Sequence, residues 1–200
     1  MTVPNVLSIL RIVLSPLFLI LFLEGEKSGN CTYLNTSLVI FFVAVLTDWY
    51  DGWYARKYKT ISRVGIFIDP LADKILTTFA FILFYIKNIM PLWMVVLIGF
   101  RDIVVTALRS YDELRGITIK TSFIAKAKTF FQMTYIFAIL FLIILPKFQN
   151  NPDLEIKVNV FFNSIPNYLL MLFITIITIY TGIDYFVQKR VYLKNEIDKA

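Results

Sequence analysis

Asp48-Trp-Tyr-Asp51-Gly52-Trp-Tyr-Ala55-Arg56, followed after eight residues by Gly65, Asp69 and Asp73, is the stretch that decides how this chain folds. It places four carboxylates within 26 residues, with long apolar runs on either side. An ionised aspartate near a bilayer centre costs about 2.5–3.5 kcal/mol on insertion scales, so such residues in an apolar chain mark a site. Asp48 and Asp51 are three positions apart, and Asp69 and Asp73 four, so each pair shares one face of a helix. Two helices that each present two carboxylates to the other supply hard oxygen ligands for a divalent cation.

The rest of the composition fits a chain solvated by lipid. Hydrophobic residues make up 58% and charged residues 17%, against about 25% charged in soluble domains. Mean hydropathy is +0.70. Apolar stretches of about 20 residues, enough to cross a bilayer, recur along the whole length. They predict an all-α integral membrane protein with six transmembrane helices at about 6–23, 35–55, 70–87, 91–109, 128–146 and 164–187. One transmembrane catalytic domain then occupies residues 1–200, with no room for a second, water-soluble one. The first residues, Met1-Thr-Val-Pro-Asn, lack a basic leader and a cleavage site, so no signal peptide is expected.

Several chemistries are excluded at once. The chain has no histidine, which removes Ser-His-Asp and Cys-His schemes and histidine-ligated zinc. Cys31 is the only cysteine, so no intrachain disulfide can form. The net charge of +6 is unevenly placed. Thirteen Lys and Arg fall at 56–63, 109–128 and 189–199, whereas the alternate loops hold only Lys27, Lys87, Lys147 and Lys157. That bias puts both termini in the cytoplasm. Because the basic residues sit at membrane junctions, anionic headgroups rather than nucleic acid are the expected partner.

Other features refine the picture. Trp49, Tyr50, Trp53 and Tyr54 form an aromatic belt that sets the carboxylate site at headgroup level, on the cytoplasmic side. Arg11 is expected to snorkel to the same interface. Asp69-Pro70 reads as a helix start, with Asp as N-cap and Pro at the first helical position. A polar outer loop containing Pro146, Pro152 and Pro166 is expected before the last span. Within the motif, Gly52 allows close approach of a backbone or ligand, and Ala55 keeps the same face clear. Arg56 carries a guanidinium fork suited to diphosphate oxygens. Taken singly, Asp69 reads as a cap, Asp48 as a helix-end residue reaching water and Asp51 as part of a turn; their joint spacing argues for a shared site. Arg101, Arg109, Lys126 and Lys128 form a second constellation, open to reading as ion pairs and topology signals or as an anion pocket.

The first constellation resembles the signature of the CDP-alcohol phosphotransferases, D-x2-D-G-x2-A-R-x8-G-x3-D-x3-D, at every fixed position. Asn5-Val-Leu-Ser-Ile-Leu-Arg11, Asp69-Pro-Leu-Ala-Asp-Lys74, Arg101-Asp102-Ile-Val-Val-Thr-Ala-Leu-Arg109 and Ala125-Lys-Ala-Lys-Thr129 are similar to segments of the family's bacterial glycerol-3-phosphate branch. The resemblance runs in order over residues 1–187. It implies a membrane enzyme of phospholipid biosynthesis that moves a phosphatidyl group from CDP-diacylglycerol to glycerol 3-phosphate, releasing CMP. By the family pattern two divalent ions, Mg²⁺ or Mn²⁺, are held by Asp48, Asp51, Asp69 and Asp73, and Asp73 acts as base. Asp48, Gly52, Arg56 and Gly65 would hold the CDP-lipid, and Arg101, Arg109, Lys126 and Lys128 the glycerol 3-phosphate. A homodimer in the cell membrane, with its active site at the cytoplasmic face, is also implied. Inositol phosphate, phosphatidylglycerol and serine are alternative acceptors within the family. Outside it, a cation transporter would need acidic residues along a path from both sides, which this distribution does not offer.

Overall fold

The computed structural model describes residues 3–58, 65–117, 122–149 and 151–197, and within them all side chains except those of 3–4, 49, 51–58, 66 and 193–197. The described residues form helices and no strand. In order these are α1 (Val3–Ser28), α2 (Cys31–Tyr58), α3 (Gly65–Ile86), α4 (Leu92–Leu114), α5 (Phe123–Phe148), α6 (Pro152–Phe162) and α7 (Ile165–Ile197). Each of the six apolar segments falls on a helix.

Polar and charged side chains are buried beside an apolar core, and large apolar ones cover the outside. Arg11, Asp102, Lys128, Gln132, Thr175, Thr178 and Thr181 are buried, while Val13, Ile20, Leu46, Phe100, Phe130, Phe141 and Ile183 lie on the outside. So apolar an outer surface is foreign to a water-soluble protein; hydrocarbon solvent accounts for it. Between the helices sits an aromatic core. Phe18 of α1 meets Phe41 of α2 at 5.0 Å, Phe41 meets Phe137 of α5 at 5.7 Å, and Phe84 of α3 meets Tyr135 of α5 at 6.1 Å. These rings join four helices at mid-height and leave the carboxylate end of the bundle to polar groups.

Four helical stretches are long and apolar enough to cross a membrane: Asn5–Ser28, Cys31–Asp48, Phe123–Phe148 and Ile165–Tyr192. α3 and α4 fall short of that test for one reason. Any 18 consecutive residues of α3 contain Asp69, Asp73 and Lys74, and any 18 of α4 contain Arg101, Asp102 and Arg109, so each exceeds two charges. The interrupted helices carry Gly65, Asp69, Asp73, Arg101 and Arg109 of the candidate site, and α2 and α5 carry the rest.

Two local expectations are corrected. α3 starts at Gly65, and Pro70 lies inside it rather than at its first position. The proline ring already has a helical φ, and the hydrogen bond it forgoes is in the opening turns, where the disruption is smallest. Asp69 is thereby freed from capping. The expected outer loop instead contains α6, and α5 runs through Pro146. Asn151 accepts a hydrogen bond from the Leu154 amide at 3.1 Å, Pro152 starts the helix, and Asp153 and Glu155 occupy its first turn. That is a complete N-terminal signal.

The α1–α2 hairpin is closed by glycine at two points. Gly29 takes φ +67° just beyond α1, and a Cβ on Gly25 would lie 2.9 Å from the Leu34 backbone nitrogen. Gly25→Ala should therefore force the hairpin apart and lower the thermal midpoint in detergent. Trimming Leu34 to Ala in the same chain should not restore it, because the obstacle is backbone. An unchanged midpoint in Gly25→Ala would contradict this packing.

Candidate active site

α1 carries Asn5, Ser8, Arg11 and Ser15 at spacings of three, three and four, and all four are buried. They form one polar stripe on an otherwise apolar helix. The stripe faces α2 and α3. Arg11 Nε donates to the carbonyl of Ala44 at 3.2 Å, and Arg11 Nη1 donates to Asp48 Oδ1 at 2.7 Å. One turn earlier, Ser8 Oγ donates to Asp69 Oδ1 at 2.5 Å. Ser8 and Arg11 are neighbours on the helix surface, so their bonds bring a carboxylate of α2 and one of α3 to the same stretch of α1.

Arg11 therefore does not snorkel. Its side chain has no exposed surface, whereas that of Asp48 is 45% exposed. A guanidinium has five donors to satisfy, and inside the bundle a carbonyl and a carboxylate on successive turns of α2 meet that need better than a route to the interface. Asp69 keeps one oxygen outside any hydrogen bond among the described residues. Asp73, one turn on, accepts from Lys74 at 2.8 Å through Oδ2 alone. Asp51, Gly52 and Arg56 belong to α2, but their side chains, like those of Trp49, Trp53 and Tyr54, lie outside the described residues. Gly65 opens α3 and is buried.

Beside these carboxylates a cavity of about 480 Å³ opens between α3, α4 and α5. Asp73, Lys74, Arg101, Arg109, Lys126 and Lys128 all line it. The second constellation is thus gathered in one place, against the last aspartate of the first. Five basic side chains face two carboxylates there, Asp73 and Glu113, so the cavity suits an anion.

The cations are not equivalent. Lys128, 2% exposed, donates to both oxygens of Asp102 at 2.5 and 2.6 Å, and Gln132 adds a third bond at 3.2 Å. Arg101 Nη1 donates to Asp102 at 3.0 Å and Nη2 to Thr181 of α7 at 2.9 Å. Asp102 thus anchors two of the basic residues and holds α4 to α5, as an unpaired buried carboxylate could not. Lys126 has no such partner among the described residues. Beyond the apolar part of α4, burial tends to raise the Asp112 pKa, but hydrogen bonds from Lys189 and Tyr185 outweigh it and hold the carboxyl below its ordinary value.

Sequence reasoning missed Ser8, Lys74 and the anchoring part of Asp102. A stripe of polar residues at helical spacing in α1 was a usable signal for Ser8. Nothing local pointed to the Asp102–Lys128 pair, whose members are 26 positions apart.

The family model for CDP-alcohol phosphatidyltransferase matches residues 1–181. The chain belongs to that family. Similar proteins include the CDP-diacylglycerol–glycerol-3-phosphate 3-phosphatidyltransferase of Bacillus subtilis, 35% identical over 146 residues, or 68% of this chain and 75% of the relative. The proteins of the same name from Rickettsia typhi and Haemophilus influenzae are 31% and 38% identical. The first alignment covers 94% of this chain and 97% of its relative, the second 66% and 71%.

Removing Arg11 tests the α1 clamp. Arg11→Ala and Ser8→Ala each remove a hydrogen bond to a carboxylate and should each cost about 1.5–3 kcal/mol of unfolding free energy. Chemical unfolding in detergent measures both. No loss in Arg11→Ala would mean that the clamp does not hold Asp48.

Proposed function

We propose that this chain is an integral membrane enzyme that transfers the phosphatidyl group of CDP-diacylglycerol to glycerol 3-phosphate, giving phosphatidylglycerol phosphate and CMP. The observation that carries the reading is the cationic cavity with Asp73 in its wall. A phosphorylated alcohol held by Lys126, Arg109 and Arg101 would have its hydroxyl next to the aspartate motif. The relatives named for this activity support the same acceptor.

In the reaction the acceptor oxygen bonds to the β-phosphorus, the bond from that phosphorus to the oxygen bridging to CMP breaks, and CMP leaves. The hydroxyl proton passes to Asp73, directly or through water. Lys74 pairs with one Asp73 oxygen, so the other would serve cation and proton alike, with Asp73 weakly ligated or the proton relayed through water. Orientation comes from setting a water-soluble alcohol in a fixed cationic pocket opposite a lipid that the bilayer holds. Arg56, Gly52 and Gly65, with Asp48, complete the CDP-lipid side of the site.

Two divalent cations, Mg²⁺ or Mn²⁺, would be held by Asp48, Asp51, Asp69 and Asp73. Their chemistry suits such ions: all are carboxylates, Asp48 is half-exposed, and among the described residues Asp69 and Asp73 each keep an oxygen outside hydrogen bonds, while no three described carboxylates stand together as a metal-binding group. Such ions neutralise diphosphate charge and stabilise the leaving phosphate.

The wider assignment follows from charge and helix length. With α3 and α4 added to the four apolar stretches, six helices cross the membrane, and α6 lies on the outer side. The thirteen-to-four basic bias supports a topology with both termini and the active site at the cytoplasmic face of the cell membrane. A homodimer completes the proposal.

Chelation followed by re-addition of Mg²⁺ should abolish and restore CMP release. Asp73→Ala should abolish turnover while retaining CDP-diacylglycerol binding; wild-type turnover in that variant would remove Asp73 from the chemistry. Lys126→Ala should raise KM for glycerol 3-phosphate by about tenfold or more, as expected for a lost charged hydrogen bond. A rise confined to the KM for CDP-diacylglycerol would place Lys126 on the wrong side of the reaction.

A further inference from the structure

The two arginines of the cavity are eight positions apart on one face of α4, and α7 packs against that face. α7 meets them with Thr181, Gly182, Tyr185 and Lys189, at spacings that also share one helical face. Each of these four residues makes a definable contact. Thr181 accepts from Arg101. A Cβ on Gly182 would lie 3.0 Å from Arg101 Cγ and 3.3 Å from its Nε, so the glycine makes room for the side chain to lie flat along α7. The Tyr185 ring lies 5.6 Å from Arg109 Cζ, within cation–π range. Its hydroxyl donates to Asp112 Oδ2 at 2.6 Å, and Lys189 donates to Asp112 Oδ1 at 2.8 Å.

Tyr185 is 2% exposed and is absent from the cavity wall. It can act on an anion in the cavity only through Arg109. An arginine side chain left to itself samples many rotamers, and ordering it on binding costs part of the affinity it provides. A ring pinned at its hydroxyl end and presenting its face to the guanidinium removes that cost beforehand.

We propose that Tyr185, fixed by Asp112, is a positioning residue that presets Arg109 for the phosphate of the acceptor alcohol, so that α7 sets acceptor affinity without touching the acceptor. The proposal rests on the acceptor-pocket reading above and adds to it residues outside the aspartate motif and the cavity.

The test is steady-state kinetics of the full-length protein in detergent with CDP-diacylglycerol, glycerol 3-phosphate and Mg²⁺. Tyr185→Leu should raise KM for glycerol 3-phosphate about tenfold, within the range of a desolvated cation–π contact. Its kcat and its KM for CDP-diacylglycerol should stay within about twofold of wild type. Tyr185→Phe and Asp112→Ala, each of which removes one partner of that hydrogen bond, should each raise the acceptor KM by about threefold, and the double variant no further than either alone. If Tyr185→Leu does not fold, that three-variant comparison decides alone. Unchanged acceptor KM, equal rises in both KM values, or additive effects in the double variant would each overturn the proposal. The wild-type control separates the two levels of argument. Turnover with glycerol 3-phosphate and no KM effect sinks only the positioning by Tyr185, whereas a wild type inactive with every phosphorylated alcohol sinks the pocket reading and the proposal with it.

Discussion

The bond from Arg11 to Asp48 is the contact on which the rest of the site depends. A guanidinium with no exposed surface cannot be left unpaired in an apolar bundle, so wherever α1 packs, a carboxylate must come to it. α2 supplies Asp48, and one turn away Ser8 draws in Asp69 of α3. Three helices are thereby locked in a single register at the end of the bundle where the aspartate motif lies. The aromatic core below, joined through Phe18, Phe41 and Phe137, is non-directional and tolerates small shifts; the charged contact does not.

The same logic operates on the other side of the cavity. Asp102 neutralises Lys128 and steadies Arg101, so the basic wall is anchored before any ligand arrives. α4 and α5 are tied by that carboxylate, α4 and α7 by Thr181, Tyr185 and Lys189. Lys126 is the cation without such an anchor among the described residues. The cavity thus combines a fixed frame with one adaptable charge, a disposition suited to a small, doubly charged acceptor. Buried polar groups in this protein serve both assembly and chemistry, and the two uses cannot be separated by mutation without measuring both stability and kinetics.

Much of this was legible beforehand. The aspartate motif has fixed spacing because it maps onto helical faces, and the six apolar segments fall on helices because a helix satisfies its backbone groups within one segment in lipid. Arg101, Arg109, Lys126 and Lys128 come together because α4 and α5 flank α3. What could not be read depended on partners distant in sequence. The destination of Arg11 was decided by α2, 37 positions away, and the pairing of Asp102 with Lys128 by how α4 and α5 both pack against α3 and α7. Asp69 looked like a cap because Pro70 follows it, yet three helical residues and Gly65 precede it in α3. The proline-rich stretch before α7 concealed α6, although Asn151-Pro152-Asp153 carries the full chemistry of a helix start.

We propose that an aspartate-lined divalent-cation site faces a cationic pocket for a phosphorylated alcohol. The decisive measurement incubates the purified protein with CDP-diacylglycerol, Mg²⁺ and radiolabelled glycerol 3-phosphate, with inositol phosphate and serine in parallel. Metal-dependent CMP release and label in a lipid phosphomonoester, with glycerol 3-phosphate as the preferred acceptor, are expected. Turnover with serine alone, which brings no phosphate to the pocket, would contradict this proposal.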